Sequence, residues 1–301
     1  MKNKILLLVP SLFLLASCGA KGVNRNVLKE VNYDSTGNVL ATTEYSYKGD
    51  DILSFKQVTP EGTTLSTYNY NSKGLLVDFK MQNLVDDNYV DYLFSANTYD
   101  NHDNLVSTQD FKFSNTLNRY VITDTYVYEY DNRGNTTKES RISYDENLAI
   151  TWQSEIDYAY NESNMLTQQD EYYFDFIAGE MVYFEGEVYT YDSQNNLIKQ
   201  VVLDDNKETL MTSNYEYDGG LLKQVTTTKV YDGVEKPFKV VSYEYDSNKN
   251  LIMEKSVYAV NGFGDEVIRR EYDKDNRCTK KSYFDLEGDK ETLDSYYTYS
   301  Y

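Results

Sequence analysis

A tyrosine followed by Asp or Asn, then a short polar stretch and an aliphatic residue, returns along this chain at a near-constant interval. The tyrosines are Tyr33, Tyr47, Tyr70, Tyr99, Tyr130, Tyr160, Tyr191, Tyr217, Tyr245 and Tyr272. From Tyr70 onward the spacings are 29, 31, 30, 31, 26, 28 and 27 residues; the first two are 14 and 23. A period in this range signals a repeat architecture in which each unit covers its neighbour, and it outranks local propensity.

The columns of the repeat have physical meaning. The residue after the tyrosine is Asp or Asn in nine of ten copies, Lys48 being the exception. Such a side chain accepts a hydrogen bond from the backbone two residues on and starts a turn. Four residues after the tyrosine stand Gly37, Asp51, Gly74, Asp103, Gly134, Asn164, Asn195, Lys249 and Asn276. Gly, Asn and Asp tolerate positive φ, so this column predicts the left-handed residue of a three-residue hairpin loop with a bulge. At Asp218-Gly219-Gly220 the loop is shorter. Two residues further on, Val39, Leu53, Leu76, Leu105, Leu166, Leu197 and Leu251 form an aliphatic column that also holds Thr136 and Cys278.

Return turns are expected midway, near residues 85, 114, 176, 204, 231 and 261. Two strands of about ten residues with two loops of about four or five account for the period. The fold class is therefore all-β, an antiparallel meander of tandem two-strand repeats forming an elongated, twisted or coiled sheet, open or closed into a barrel. Alternation places both rings of Tyr68/Tyr70, Tyr128/Tyr130, Tyr158/Tyr160, Tyr189/Tyr191, Tyr215/Tyr217 and Tyr243/Tyr245 on one face. That face is expected to be partly buried, with the rings in cross-strand aromatic ladders and the other face wet.

The tandem Tyr-Asp-x-x-Gly-Asn-aliphatic phrase resembles the YD repeats of Rhs-type bacterial surface and toxin-shell proteins, over nearly all of residues 30–301. The resemblance implies a coiled β-sheet rod or shell fragment. The chain is too short for a toxin-enclosing shell, so that function does not carry over.

The N-terminus carries Lys2 and Lys4, an apolar run from Ile5 to Leu15, and Leu-Ala-Ser before Cys18. This is the pattern of a secretory signal, and the run is too short to span a bilayer as a helix. It resembles a bacterial lipobox, which implies cleavage before Cys18 and acylation of that residue. Residues 1–17 are then the signal peptide, 18–29 the lipidated cysteine with a flexible tether, and 30–301 one β-repeat domain. The expected address is the bacterial envelope, the outer membrane or cell surface being favoured over the inner membrane because Gly19, not Asp, follows the cysteine. The membrane is the partner expected through Cys18. A net charge of −20 repels nucleic acid. With Cys18 acylated, Cys278 has no partner for a disulfide.

Catalysis is hard to seat. The single histidine, His102, falls in a turn without the orienting partner a general base needs. Cys278 sits in the aliphatic column and reads as a small buried hydrophobe. Oxygen-rich loops at residues 86, 204 and 273 read as turn chemistry; Arg277 breaks any EF-hand pattern. No cofactor, metal or catalytic residue is therefore expected, and the chain reads as non-enzymatic. Trp152, Tyr172, Tyr173, Phe174 and Phe176, in less regular sequence, are the candidates for an exposed binding patch. Tyr297, Tyr299 and Tyr301 mark a final strand that would accept a partner's strand if the sheet were open. The functional expectation is adhesion, or binding of a glycan or protein ligand, by an extended Tyr-rich surface. The alternative is a structural envelope component docking partners by edge-strand pairing.

Overall fold

The computed structural model describes residues 26–260 and 262–301. The signal segment, Cys18 and most of the tether lie outside the described residues. Among the described residues twenty strands follow one another: β1 (Lys29–Asp34), β2 (Val39–Lys48), β3 (Asp51–Thr59), β4 (Gly62–Tyr70), β5 (Leu76–Val85), β6 (Asn88–Tyr99) and β7 (Leu105–Ser114). Next come β8 (Arg119–Tyr130), β9 (Thr136–Tyr144), β10 (Ile150–Tyr160), β11 (Leu166–Asp175), β12 (Glu180–Tyr191), β13 (Leu197–Leu203) and β14 (Thr209–Asp218). The last are β15 (Leu221–Tyr231), β16 (Val234–Tyr245), β17 (Leu251–Tyr258), β18 (Asp265–Tyr272), β19 (Cys278–Glu287) and β20 (Lys290–Ser300).

Each strand pairs antiparallel with the next, and β1 pairs antiparallel with β20 from Lys29↔Ser300 to Asp34↔Ser295. The meander closes into a barrel. Closure removes every sheet edge, so the open-edge expectation for Tyr297, Tyr299 and Tyr301 is corrected: β20 is hydrogen-bonded on both flanks, to β19 and to β1. Residues 27–29, which the sequence assigned to the tether, already belong to the wall. Leu28 N–H donates to the Ser300 carbonyl, and the Val27 carbonyl accepts from the Tyr47 hydroxyl.

Antiparallel order sorts the turns onto two rims. Turns leaving even-numbered strands, with residue 26 and Tyr301, make one rim, called here the terminal rim; turns leaving odd-numbered strands make the far rim. Residue 26 and Tyr301 together occupy the place of a tenth terminal-rim turn. This explains the short first spacing. Tyr33 ends β1, an odd strand, so its turn lies on the far rim, half a repeat out of phase with the other nine tyrosines. Its register partner Tyr296 lies on the face opposite Tyr297 and Tyr299. Tyr301 takes the tenth terminal-rim position instead.

The turn chemistry follows the sequence. Asp131 Oδ1 accepts from the backbone N–H of Arg133 and Asn135, Oδ2 accepts from the Asn135 amide, and Gly134 has φ 84°. Eight of the nine residues in the predicted left-handed column have positive φ. The exception is Asp51: the turn after Tyr47 is shorter, and Gly49 takes φ 65° there. Asp145 and Asp204 build the same Asx turn on the far rim, with Leu148 and Lys207 at φ 64° and 63°.

Registers put each Tyr-x-Tyr pair on one face, as expected. A cross-strand ring ladder runs Tyr45, Phe55, Tyr68, Phe79 over β2–β5, with neighbouring centroids 5.0–6.1 Å apart, but the later pairs do not continue it. The direct partners of Tyr128, Tyr158, Tyr189, Tyr215 and Tyr243 are Glu139, Gln169, Gln200, Val225 and Glu254. The paired tyrosines come from even strands only, and an odd strand separates each set from the next. What repeats is a hydrogen bond. The terminal-rim tyrosine of every repeat donates its hydroxyl to a backbone carbonyl on the preceding strand or just before it, from Tyr47 to Val27 around to Tyr301 to Cys278, at 2.7–3.0 Å. Seven of the ten acceptors belong to the aliphatic column, among them Leu76, Leu105 and Leu166.

The tyrosine face is the concave one. Tyr128 and Tyr158, two strands apart, are both held at a pKa of about 12, chiefly by burial and then by the Glu139 charge, with Tyr128 adding to the effect on Tyr158. The best-buried inner cluster lies at the seam, where Val27, Tyr45 and Phe55 pack with Tyr68, Tyr299 and Tyr301. The opposite face carries Lys56, Lys138, Asp157, Asp170, Lys255 and Arg269 at mid-strand, and it buries a smaller cluster of Met253, Val267 and Leu286 between β17 and β19. A lipid-facing barrel needs an apolar outer band, in which each mid-depth Lys or Arg costs about 2–4 kcal/mol. This outer wall is built for water.

Candidate binding recess at the far rim

Trp152 enters β10 from the far rim and pairs with Ser143, which places it on the concave face. Its ring stacks on Tyr173 of β11, centroids 6.0 Å apart and planes 19° from parallel. Phe184 of β12 meets Tyr173 edge-on at 6.2 Å. A register shift in β11–β12 leaves Phe184 as the extra, bulged residue between Tyr183 and Glu185. Together with Val182, Leu210, Tyr183, Glu171, Glu185, Asp204 and Asp205, these rings line a recess of 720 Å³. Trp152 and Phe184 are 43 % and 50 % exposed, so the recess is accessible.

Its electrostatics are one-sided. Glu171 and Glu185 stand directly opposite each other across β11 and β12. Burial, then the Glu185 charge, pushes the Glu171 carboxyl up. Asp204 and Asp205 add two more carboxylates from the β13–β14 turn. Lys207 on the same turn lies 4.4 Å above the Tyr183 ring. Gly186 lets Tyr183 fold back over β12: a Cβ there would lie 2.4 Å from the Tyr183 hydroxyl, 2.6 Å from Asp170 Oδ1 and 3.2 Å from the Gln169 carbonyl.

The five aromatic candidates do not form one patch. Trp152 and Tyr173 come together in the recess. Tyr172, adjacent in sequence to Tyr173, points to the opposite face and packs edge-on against Tyr183. Phe174 and Phe176 pack on each other at 5.1 Å beside the far-rim turn, where Phe176 is 53 % exposed. Tyr297, Tyr299 and Tyr301 face the barrel interior at the seam, with Tyr301 bound to the Cys278 carbonyl. Phe184, Glu171 and Glu185 were missed by the sequence. A bulge shifts parity without any composition signal, and acidic residues are too common here to single out two.

His102 lies exposed in a terminal-rim turn. Cys278 is buried, and burial pushes its thiol up. No group of three or more His, Cys, Asp or Glu able to hold a metal ion occurs among the described residues. No helix among them is long and apolar enough to cross a membrane.

No family model matches the chain, and no curated protein matches it in sequence. Solved structures with a related layout include a porin-like protein from Bacteroides uniformis, at 10 % identity and a TM-score of 0.38, covering 91 % of this chain and 97 % of that one. A porin-like protein from Bacteroides vulgatus gives 11 %, a TM-score of 0.35, and 83 % and 97 % coverage. The Photorhabdus luminescens Tc holotoxin pore aligns with 84 % of this chain at 13 % identity and a TM-score of 0.16; the aligned part is 19 % of that chain. At such low scores, what this barrel does must be read from its own side chains.

Proposed function

We propose that this chain is a lipid-anchored, non-enzymatic binding protein of a bacterial envelope that holds a protein ligand at its far rim. The observation that carries this reading is the segregation of exposed apolar side chains. Val85, Leu148, Phe176, Ile177, Val234 and Phe263 stand at far-rim turns, each at least 50 % exposed and Ile177 at 99 %. Asx turns occur on both rims, but no apolar side chain at a terminal-rim turn among the described residues is as much as 50 % exposed. Exposed apolar groups gathered on one surface mark an interaction site. The tether supports the orientation. Residues 18–26 extend at most roughly 30 Å and join the wall at the terminal rim. A lipid on Cys18 would hold that rim toward the membrane and turn the far rim away from it. The recess lining offers rings and carboxylates without a nucleophile–base pair, and His102 lies on the other rim.

The full chain in detergent micelles, offered a panel of host and envelope proteins, tests the reading. Phe176→Asp with Ile177→Asp should abolish capture, while His102→Ala on the terminal rim should leave it intact. Equal capture by both variants would move the binding surface elsewhere. The anchor has its own test: Cys18→Ala should shift the protein out of the detergent phase on phase partitioning, and retention there would rule out the lipid.

A further inference from the structure

We infer that the far-rim recess takes a cationic side chain, a lysine ammonium or arginine guanidinium presented by a polypeptide ligand. This deepens the binding role assigned to the far rim and rests on it. Three observations carry it. First, Glu171 and Glu185 are opposed with no lysine or arginine in ion-pair contact with either, among the described residues. Two other opposed acid pairs each hold a cation on one member, Arg141 at 2.8 Å from Asp124 in Asp110↔Asp124 and Lys138 at 3.5 Å from Asp157 in Asp157↔Asp170, whereas Glu266↔Asp285 has none among the described residues. Like charges directly opposite in a sheet are unfavourable, so the unmatched pair is a standing demand for positive charge.

Second, the recess floor is the stacked face of Trp152 and Tyr173, with Phe184 at its side. Aromatic faces attract ammonium and guanidinium groups, Trp most strongly. Third, the chain builds this constellation for itself a few strands away. Arg141 lies 5.5 Å over the Tyr126 ring while its guanidinium bonds Asp124. A ring, a carboxylate and an intrinsic cation stand there; at the recess Lys207 covers the Tyr183 ring, while no lysine or arginine among the described residues lies over Trp152, Tyr173 or Phe184. The apolar tips nearby, Ile150, Phe176 and Ile177, suit the uncharged neighbours of a basic residue in a polypeptide rather than the hydroxyls of a sugar.

Trp152 is the sole tryptophan of the chain, so its fluorescence reports this recess alone. The full chain in detergent is titrated with N-acetyl-lysine methylamide, the arginine equivalent, the norleucine equivalent of matched length, and glucosamine. The lysine and arginine probes should change Trp152 emission saturably, with the neutral norleucine probe weaker by about tenfold or more. Glu171→Gln with Glu185→Gln should weaken the cationic probes to the norleucine level. That variant removes a repulsion, and an unlowered melting temperature confirms that loss of binding is not loss of fold. Equal binding of norleucine, indifference to the double substitution, or tighter binding of glucosamine would each overturn the proposal. A rim that captures a protein ligand yet ignores both cationic probes would keep the binding role and discard the cation.

Discussion

Tyr33 and Tyr296, at opposite ends of the chain, lie stacked with ring centroids 4.6 Å apart and planes 11° from parallel. They sit on the outer side of the β1–β20 seam, where Lys280 also lies 4.9 Å from the Tyr296 ring. On the inner side, the Asn32 amide donates to the Tyr297 hydroxyl at 3.2 Å. A double-mutant cycle of Tyr33→Ala and Tyr296→Ala should give a coupling of about 0.5–1.5 kcal/mol, the usual worth of an aromatic pair beyond its buried area. Urea unfolding of the four proteins measures it; additive losses would show that the stack is incidental to closure.

The ring of tyrosine hydroxyls makes a second expectation. Tyr160 donates to the Thr136 carbonyl at 2.9 Å, so Tyr160→Phe should cost about 0.5–1.5 kcal/mol. Tyr158, two residues earlier on the same face, makes no hydrogen bond through its hydroxyl among the described residues. Tyr158→Phe should be close to neutral under the same unfolding assay. A larger loss at Tyr158 would assign the stability to the rings and not to the bonds.

How much was legible in the sequence follows from these particulars. The Asp131–Gly134 turn, the two-strand unit and the shared face of Tyr128 and Tyr130 are local, set by turn chemistry and period-two alternation. Closure was not legible, because pairing Lys29 with Ser300 depends on the sum of twenty strands' twist and tilt. The half-repeat at Tyr33 hid for a related reason: the same Tyr-Asp phrase serves either rim. In the recess, Trp152 was visible as a lone large ring, whereas Phe184 reaches it only through a bulge.

Leu148 occupies the left-handed position of the Asp145 turn with φ 64° and is 57 % exposed. A non-glycine, non-Asx residue there is strained by about 1 kcal/mol. Leu148→Asn or Leu148→Gly should therefore raise the thermal midpoint. The converse change, Gly134→Val at φ 84°, should cost about 1–3 kcal/mol. An unchanged midpoint in both would contradict the turn geometry.

Stability should pass through a maximum in mild acid. Hydrogen bonds from Asn38 and Asn135 first, then from their backbone, hold Asp34 and Asp131 at a pKa of about 2. Asp192 is likewise lowered, chiefly by Asn196. A depressed carboxyl stabilises the fold above its unfolded value near 4, and that contribution is lost as pH falls toward about 2. Burial does the reverse to Glu30, Asp110, Glu139 and Glu171, whose carboxyls are pushed up. Their folded forms bind protons more readily than the unfolded chain, so stability is gained as pH falls through their folded pKa values. Urea midpoints should thus rise from pH 7 to pH 5 and drop by pH 3; a monotonic trend would show that one group of carboxyls has no influence.

Because β20 completes β1 among the described strands, the barrel has no finished form until residues 290–300 have been made. As the chain leaves the ribosome or a translocation pore, every intermediate length is an open ribbon with two exposed strand edges. The N-terminal edge at residues 29–34 then waits through the synthesis of nearly the entire polypeptide, a contact of very high sequence separation and correspondingly slow formation. Biogenesis of such a ring is all or nothing, and a chain halted even one strand short would meet its neighbours in the cell with both edges still unpaired.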